Sequence, residues 1–193
     1  FMRKNIAWVQ SHHWLCIALI LIQFLVYHQT LAGKKYGRKM KLIKKIKAPS
    51  FKLKSTNDEK IDLKSIKSNY IVLYFYPKDD TPGCTIETND FNKLLKEFKK
   101  LDCEVYGISK DDIKSHKKFK TKYKIKFDLL ADEEKKMIKS YKVWEKKKFL
   151  GVEFMGIVRT TFLLDKKRNI IKTWKNVKVK DHAKDVLNTL KSI

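Results

Sequence analysis

Hydrophobic positions follow two different rules along this chain. Between Trp14 and Tyr27 they form one block broken only by Gln23, with Arg3 and Lys4 before it and Lys34, Lys35, Arg38 and Lys39 after it. Beyond residue 48 they come in short runs whose spacing changes from segment to segment. Phe51-Lys52-Leu53 and Lys60-Ile61-Asp62-Leu63 predict short strands joined by a polar turn at 55–59. Tyr70-Ile71-Val72-Leu73-Tyr74-Phe75-Tyr76 is apolar throughout and predicts a buried strand. Ile86, Phe91, Leu94, Leu95 and Phe98 then recur at helical spacing, which predicts a helix over 85–100. Glu104 to Ser109 is again strand-like, and Ser109 or Asp111 can cap a helix running to about residue 123. Phe127 to Leu130 predicts a strand, with Asp132 capping a helix through Ile138 and Tyr141. Thr160 to Leu164 and Ile170 to Trp174 flank a Lys-Lys-Arg-Asn turn and predict a hairpin. A last segment from Asp181 places Val186, Leu187 and Leu190 on one helical face. Strands alternating with helices and ending in a hairpin predict an α/β domain, a central sheet covered by helices.

The apolar block at 14–27 sets the domain organisation. Its length falls short of the about 20 residues that a bilayer span needs. It suits the core of a signal peptide, with Thr30-Leu31-Ala32 before Gly33 as a cleavage site. A membrane anchor extended through Leu31 and Ala32 is a second reading. In a third, translation starts at Met40, because the chain opens on Phe1 and Met40-Lys41-Leu42-Ile43 leads into Ala48-Pro49-Ser50-Phe51 as a domain would. The expected organisation is an N-terminal extension over 1–39 and one domain over 40–193. The protein is expected in the cytoplasm if Met40 is the start, and membrane-anchored or exported otherwise.

Composition narrows the class. A hydrophobic content of 43% can supply a sizeable core. The three cysteines, Cys16, Cys84 and Cys103, form no C-x-x-C, and no Cys/His cluster has zinc spacing. A disulfide-stapled domain and a metal site are therefore not expected, and a reducing compartment is favoured. The formal net charge of +24 raises the question of nucleic acid, but almost all of it is lysine, with arginine only at Arg3, Arg38, Arg159 and Arg168. Specific phosphate and base recognition leans on the arginine fork, so no specific nucleic-acid partner is expected, while adhesion to polyanions at low salt is. His12, His13, His28, His116 and His182 match no catalytic arrangement and are expected at the surface or in the leader. Cys16 and Cys103 are expected as small buried hydrophobes.

The chemistry concentrates in Pro77-Lys78-Asp79-Asp80-Thr81-Pro82-Gly83-Cys84, between the predicted strand and the predicted helix. Free backbone N–H groups and the positive end of the helix dipole favour the thiolate of a cysteine placed in that first turn. The thiolate is the nucleophile, so the pattern points to a reactive cysteine. Pro77-x-x-x-Thr81-x-x-Cys84 resembles the active-site motif of the peroxiredoxins, and Tyr74 to Thr85 as a whole is similar to their bacterioferritin comigratory protein (peroxiredoxin Q) branch. The likeness continues through Ala48-Pro49-x-Phe51, Tyr106-Gly107-Ile108-Ser109, Val143-Trp144 and Gly156 to Phe162, covering about residues 40–193.

The resemblance implies a thioredoxin-like fold, a mixed central sheet with short N-terminal strands, and peroxide reduction by thiols without a cofactor. It implies that Cys84 attacks the peroxide, that Thr81 holds its hydroxyl against thiolate and peroxide, and that Pro77 shields the sulfur. It makes Arg159 the group that stabilises the thiolate and the developing charge, and Glu87 the acid that orients Arg159. Many members of this branch carry a second, resolving cysteine five residues after the first, or in the following helix. Here those positions are Asn89 and Lys120. Cys103 lies beyond the far end of the helix, roughly 25 Å from Cys84 at ~1.5 Å per residue, whereas a disulfide needs Cα atoms within about 7 Å. The expectation is a monomeric one-cysteine enzyme reduced by thioredoxin, glutaredoxin or a small thiol. A thioredoxin-type disulfide reductase would need two vicinal cysteines, and Thr81-Pro82-Gly83-Cys84 has one. The alternative is a noncatalytic thioredoxin-like domain, membrane-tethered or polyanion-binding.

Overall fold

A computed structural model describes residues 46–149 and 151–193, so the expectations for residues 1–39, for a domain start at Met40 and for Cys16 lie outside the described residues. In chain order the strands are β1 (Ile46–Lys47), β2 (Lys52–Ser55), β3 (Lys60–Asp62), β4 (Tyr70–Phe75), β5 (Cys103–Ser109) and β6 (Asp128–Ala131), then β7 (Trp144–Phe149), β8 (Val152–Ile157), β9 (Thr160–Leu164) and β10 (Asn169–Lys175). The helices are α1 (Pro82–Lys100), α2 (Ile113–Lys122), α3 (Lys136–Ser140) and α4 (His182–Lys191). Eight strands join one mixed sheet in the order β1-β10-β9-β4-β5-β6-β2-β3, while β7 and β8 form a separate two-stranded ribbon. β4, β5 and β6 run parallel, and β9 lies antiparallel to β4 on its other side.

β4 is central because every residue from Ile71 to Phe75 is fully buried, which only a strand covered on both faces allows. Its alternation divides the interior into two cores. Val72 and Tyr74, with Tyr76 just beyond the strand, pack with Phe91, Leu95 and Phe98 of α1, Phe119 of α2 and Val186, Leu187 and Leu190 of α4. Ile71, Leu73 and Phe75 face Met137 and Ile138 of α3, with Tyr141, Phe162 and the N-terminal Phe51 and Leu63. Gly107 of β5 makes the first core possible: a Cβ there would stand 2.5 Å from Tyr74 Oη and 2.8 Å from Leu129 Cδ2. The thioredoxin-like architecture with short N-terminal strands is the one the sequence implied.

Local differences have local reasons. Asp112, not Ser109 or Asp111, caps α2, accepting the Ser115 N–H at 2.7 Å. Ser109 remains in β5, and Asp111 is occupied with other donors. Asp132 does serve α3, accepting the Ile138 N–H at 2.7 Å. The β7–β8 ribbon carries no burial signature along most of its length, with Val152 to Met155 exposed, and Gly151 turns it at φ +81°. Among the described residues, no helix is long and apolar enough to cross a membrane.

Candidate active site

Cys84 is placed by a change of backbone conformation. β4 ends at Phe75, the chain bends at Pro77, and Thr81 keeps extended backbone (φ −96°, ψ 150°) as the N-cap of α1. Pro82 opens the helix, where its missing N–H forfeits no intrahelical bond. Thr85 N–H reaches the Thr81 carbonyl at 2.9 Å and closes the first turn. Cys84 therefore stands in that turn and faces inward, 1% exposed, in the core that holds Tyr74, Tyr76 and Phe91.

Arg159 reaches this thiol from a distant part of the chain. It lies in the short link between β8 and β9, and β9 is paired with β4. Its carbonyl is fixed by the Val177 N–H at 3.0 Å. Its Nη2 donates to Cys84 Sγ at 3.2 Å, while Nη1 pairs with Glu87 Oε2. The guanidinium passes beside Gly83, where an added Cβ would lie 3.5 Å from Nη2. Cys84 and Glu87, three residues apart on one helical face, are thus joined by the two arms of one fork.

Burial governs the charges here. It pushes the Glu87 carboxyl up to about 7, against the pull of Arg159 and with a smaller push from Asp90. Glu87 Oε1 is buried and has no hydrogen-bond partner among the described residues, so its charge rests on Arg159. For Arg159 burial works against the charge, but Glu87 and Cys84 outweigh it and its pKa rises. The arrangement holds a cation against a buried sulfur and can stabilise negative charge that forms there.

Pro77 and Thr81 share the loop before Cys84. Thr81 was expected to turn its hydroxyl to the thiolate; in this structure the hydroxyl donates to the Lys78 carbonyl at 3.0 Å. Pro77 is half-buried at the bend. Cys103 begins β5 opposite Tyr70 and is 1% exposed, as a small buried residue should be. Burial, with Glu104 adding to it, pushes its thiol up to about 12. Cys84 and Cys103 are both free thiols. Lys120, in the helix that could have held a resolver, instead spans Asp128 Oδ1 at 2.6 Å and Thr56 Oγ1 at 3.1 Å.

Two histidines expected at the surface are buried. His116 is 0% exposed on the inner side of α2, with Nδ1 2.8 Å from Asp79 Oδ2. His182 opens α4 with Nε2 2.8 Å from Thr161 Oγ1, and burial pushes its pKa down to about 4. The helical spacing of His116 and Phe119 on one face was the available signal for the first. A groove of about 400 Å³ between α1 and α4, lined by Leu94, Glu97, Leu187 and Lys191, contains none of the site residues.

The sequence profile of the AhpC/TSA family matches residues 45–173. The chain belongs to the AhpC/TSA family of peroxiredoxins. It is 48% identical over 147 residues to the peroxiredoxin Bcp of Bacillus subtilis (strain 168), covering 76% of this chain and 94% of that one. It is 35% identical over 144 residues to the peroxiredoxin Bcp of Escherichia coli (strain K12), covering 75% and 92%. In structure it is similar to Xanthomonas campestris peroxiredoxin Q, with a TM-score of 0.70 and 38% identity over 74% of this chain and 90% of that one. A structure of the bacterioferritin comigratory protein of the same organism, described for its alkyl peroxide reduction activity, matches at TM-score 0.70 and 37% identity over 74% and 90%. Peroxiredoxins of this kind are thiol-dependent peroxidases: a peroxide is their oxidant and a thiol their reductant.

Proposed function

We propose that this peroxiredoxin reduces hydrogen peroxide and organic hydroperoxides with Cys84 as its single redox cysteine. The observation that carries the reading is the Arg159 Nη2 to Cys84 Sγ hydrogen bond at 3.2 Å, inside a site whose second arm is anchored on Glu87. The Cys84 thiolate donates an electron pair to the near oxygen of the peroxide. An S–O bond forms, the O–O bond breaks, and the leaving oxygen takes a proton and departs as water or an alcohol. Arg159 faces the sulfur while charge moves from it to the peroxide. The Thr81 oxygen, which donates its proton to Lys78, keeps lone pairs to accept from the peroxide O–H. Pro77 limits water at the sulfur.

Reduction of the Cys84 sulfenic acid follows from outside. One thiol displaces water and forms a mixed disulfide, and a second thiol releases Cys84 and leaves as a disulfide. Thioredoxin, glutaredoxin or a small thiol supplies these groups. The helix between the two cysteines, and the burial that raises the Cys103 thiol, argue against Cys103 as resolver. The working unit is a monomeric domain over residues 40–193, cytoplasmic when translation starts at Met40.

The test is peroxide consumption by the full chain with thioredoxin, glutaredoxin or a small thiol. Activity lost in Cys84→Ser and kept in Cys103→Ser is the expected result. Nonreducing peptide mapping after one equivalent of peroxide should show no Cys84–Cys103 bond; finding that bond would overturn the one-cysteine mechanism. Polyanion binding without peroxide consumption would favour the noncatalytic alternative.

A further inference from the structure

The loop between β4 and α1 carries two aspartates, Asp79 and Asp80, that the reaction above does not use, and both are tied to α2. Asp79 is buried, 6% exposed. Its carboxylate receives Tyr76 Oη on Oδ1 at 2.7 Å, and Ser115 Oγ and His116 Nδ1 on Oδ2 at 2.8 Å each. Its own N–H donates to Asp111 Oδ2 at 2.7 Å, and Ser109 Oγ donates to the same oxygen at 2.8 Å. The other ring nitrogen of His116 lies 3.2 Å from the Leu130 carbonyl, an acceptor, so Nε2 carries a proton. Burial first, then Tyr74 and Asp79, push the Tyr76 phenol well up, which keeps it a donor. The hydroxyls of Tyr76 and Ser115 donate to this carboxyl and the His116 ring closes the group, so both oxygens of the buried side chain are partnered.

Asp80 is bound to the far end of the same helix. Lys122 Nζ contacts its two carboxylate oxygens at 2.6 and 2.9 Å, and Tyr123 Oη donates at 2.6 Å. Its φ of +53° is left-handed, a conformation a non-glycine residue holds at a cost, and these contacts fix it there. Immediately upstream, the Lys78 carbonyl is the acceptor for the Thr81 hydroxyl. The chain from Lys78 to Thr81 is therefore registered on α2 by the two residues between them, Asp79 and Asp80.

We propose that Asp79, clasped by His116, Ser115 and Tyr76, is a positioning residue for peroxide reduction. By holding the loop on α2 it fixes the Lys78 carbonyl, hence the Thr81 hydroxyl, hence the line along which a peroxide meets Cys84. The proposal rests on the reading of Cys84 and Thr81 given above. Misplacing a reacting group by about 1 Å can slow a reaction 10²-fold, so a loosened clasp is felt in the peroxide rate. Alkylation of the same thiolate by iodoacetamide does not use the loop as a template.

The experiment compares second-order rate constants of the reduced full chain with hydrogen peroxide and with iodoacetamide, well below the melting temperature. In Asp79→Asn and His116→Phe the peroxide constant should fall at least about tenfold while alkylation changes less than about twofold. His116→Asn, which can still present a donor where Nδ1 stood, should recover most of the loss. Ser115→Ala removes one hydroxyl donor, at a half-buried position, and should give a smaller fall, which keeps the test available if the larger changes prevent folding. A merely structural role would lower the melting temperature and leave the peroxide constant of the folded protein unchanged; that result, or equal losses in both reactions, would overturn the proposal. A parent protein that consumes no peroxide would overturn the proposed function and this inference together, whereas an active parent with unaffected variants would overturn the inference alone.

Discussion

Cys84 lies in a core with Tyr74, Tyr76 and Phe91, and one guanidinium meets its sulfur there. Arg159 presents separate N–H groups to Cys84 and to Glu87. A lysine ammonium is a point charge on a flexible stem and cannot span both with fixed geometry. Arg159→Lys should therefore lower the second-order rate constant for peroxide by roughly 10–100-fold, read by stopped-flow fluorescence, with a far smaller change in melting temperature. Glu87 gives a pH signature. Its ordinary value is 4.5 and burial raises it to about 7, so between those values the folded chain holds a proton that the unfolded chain has lost. The contribution of Glu87 to stability is then greatest in acid and falls as pH rises through that window. Glu87→Gln removes this dependence. Its melting temperature relative to the parent should climb from about pH 4.5 to about pH 7 and then level off, and a flat difference would contradict the raised carboxyl.

Among the elements, Gly107 shows how closely β5, β4 and α1 are fitted. The Tyr74 ring lies over it, stacks on Phe91 with centroids 4.8 Å apart, and meets Thr88 Oγ1 at 3.1 Å. Gly107→Ala drives a methyl into that ring and into Leu129, and should cost about 1–3 kcal/mol in urea unfolding. Elements with a buried face were the ones legible in the sequence. β4 is apolar at every position, and Val186, Leu187 and Leu190 declare the buried side of α4. The β7–β8 ribbon was not legible, because Val152 to Met155 all face outward and neither a helical nor a strand period survives. The cap of α2 was ambiguous for another reason. Ser109, Asp111 and Asp112 are all capping types, and only the tertiary demand on Asp111 from Asp79 leaves Asp112 at the helix end. At the site, Cys84 was legible from its strand-to-helix position, and Arg159 and Glu87 through family likeness. His116 offered only its helical spacing with Phe119, since the residue type itself looks the same in a sequence whether it faces solvent or a buried carboxylate.

At the scale of the whole molecule, the net charge of +24 is carried almost wholly by lysine. The candidate site draws on one half-buried arginine, whereas lysines such as Lys93, Lys100 and Lys136 are largely exposed. Retention on heparin should be strong at low ionic strength and collapse with added salt, while the Cys84 rate with neutral hydrogen peroxide changes by less than about threefold over the same range. α1 joins the two domains of behaviour, chemical and mechanical. Its first turn bears Cys84 and its second Glu87, and the turns that follow bury Phe91, Leu95 and Phe98. The reactive end of the helix thus belongs to the same cooperative unit as the core. Amide hydrogens from Glu87 to Phe98 should exchange with solvent only at the free energy of global unfolding, and peroxide treatment should not open a faster route, because in the proposed one-cysteine mechanism no turn of α1 has to unwind.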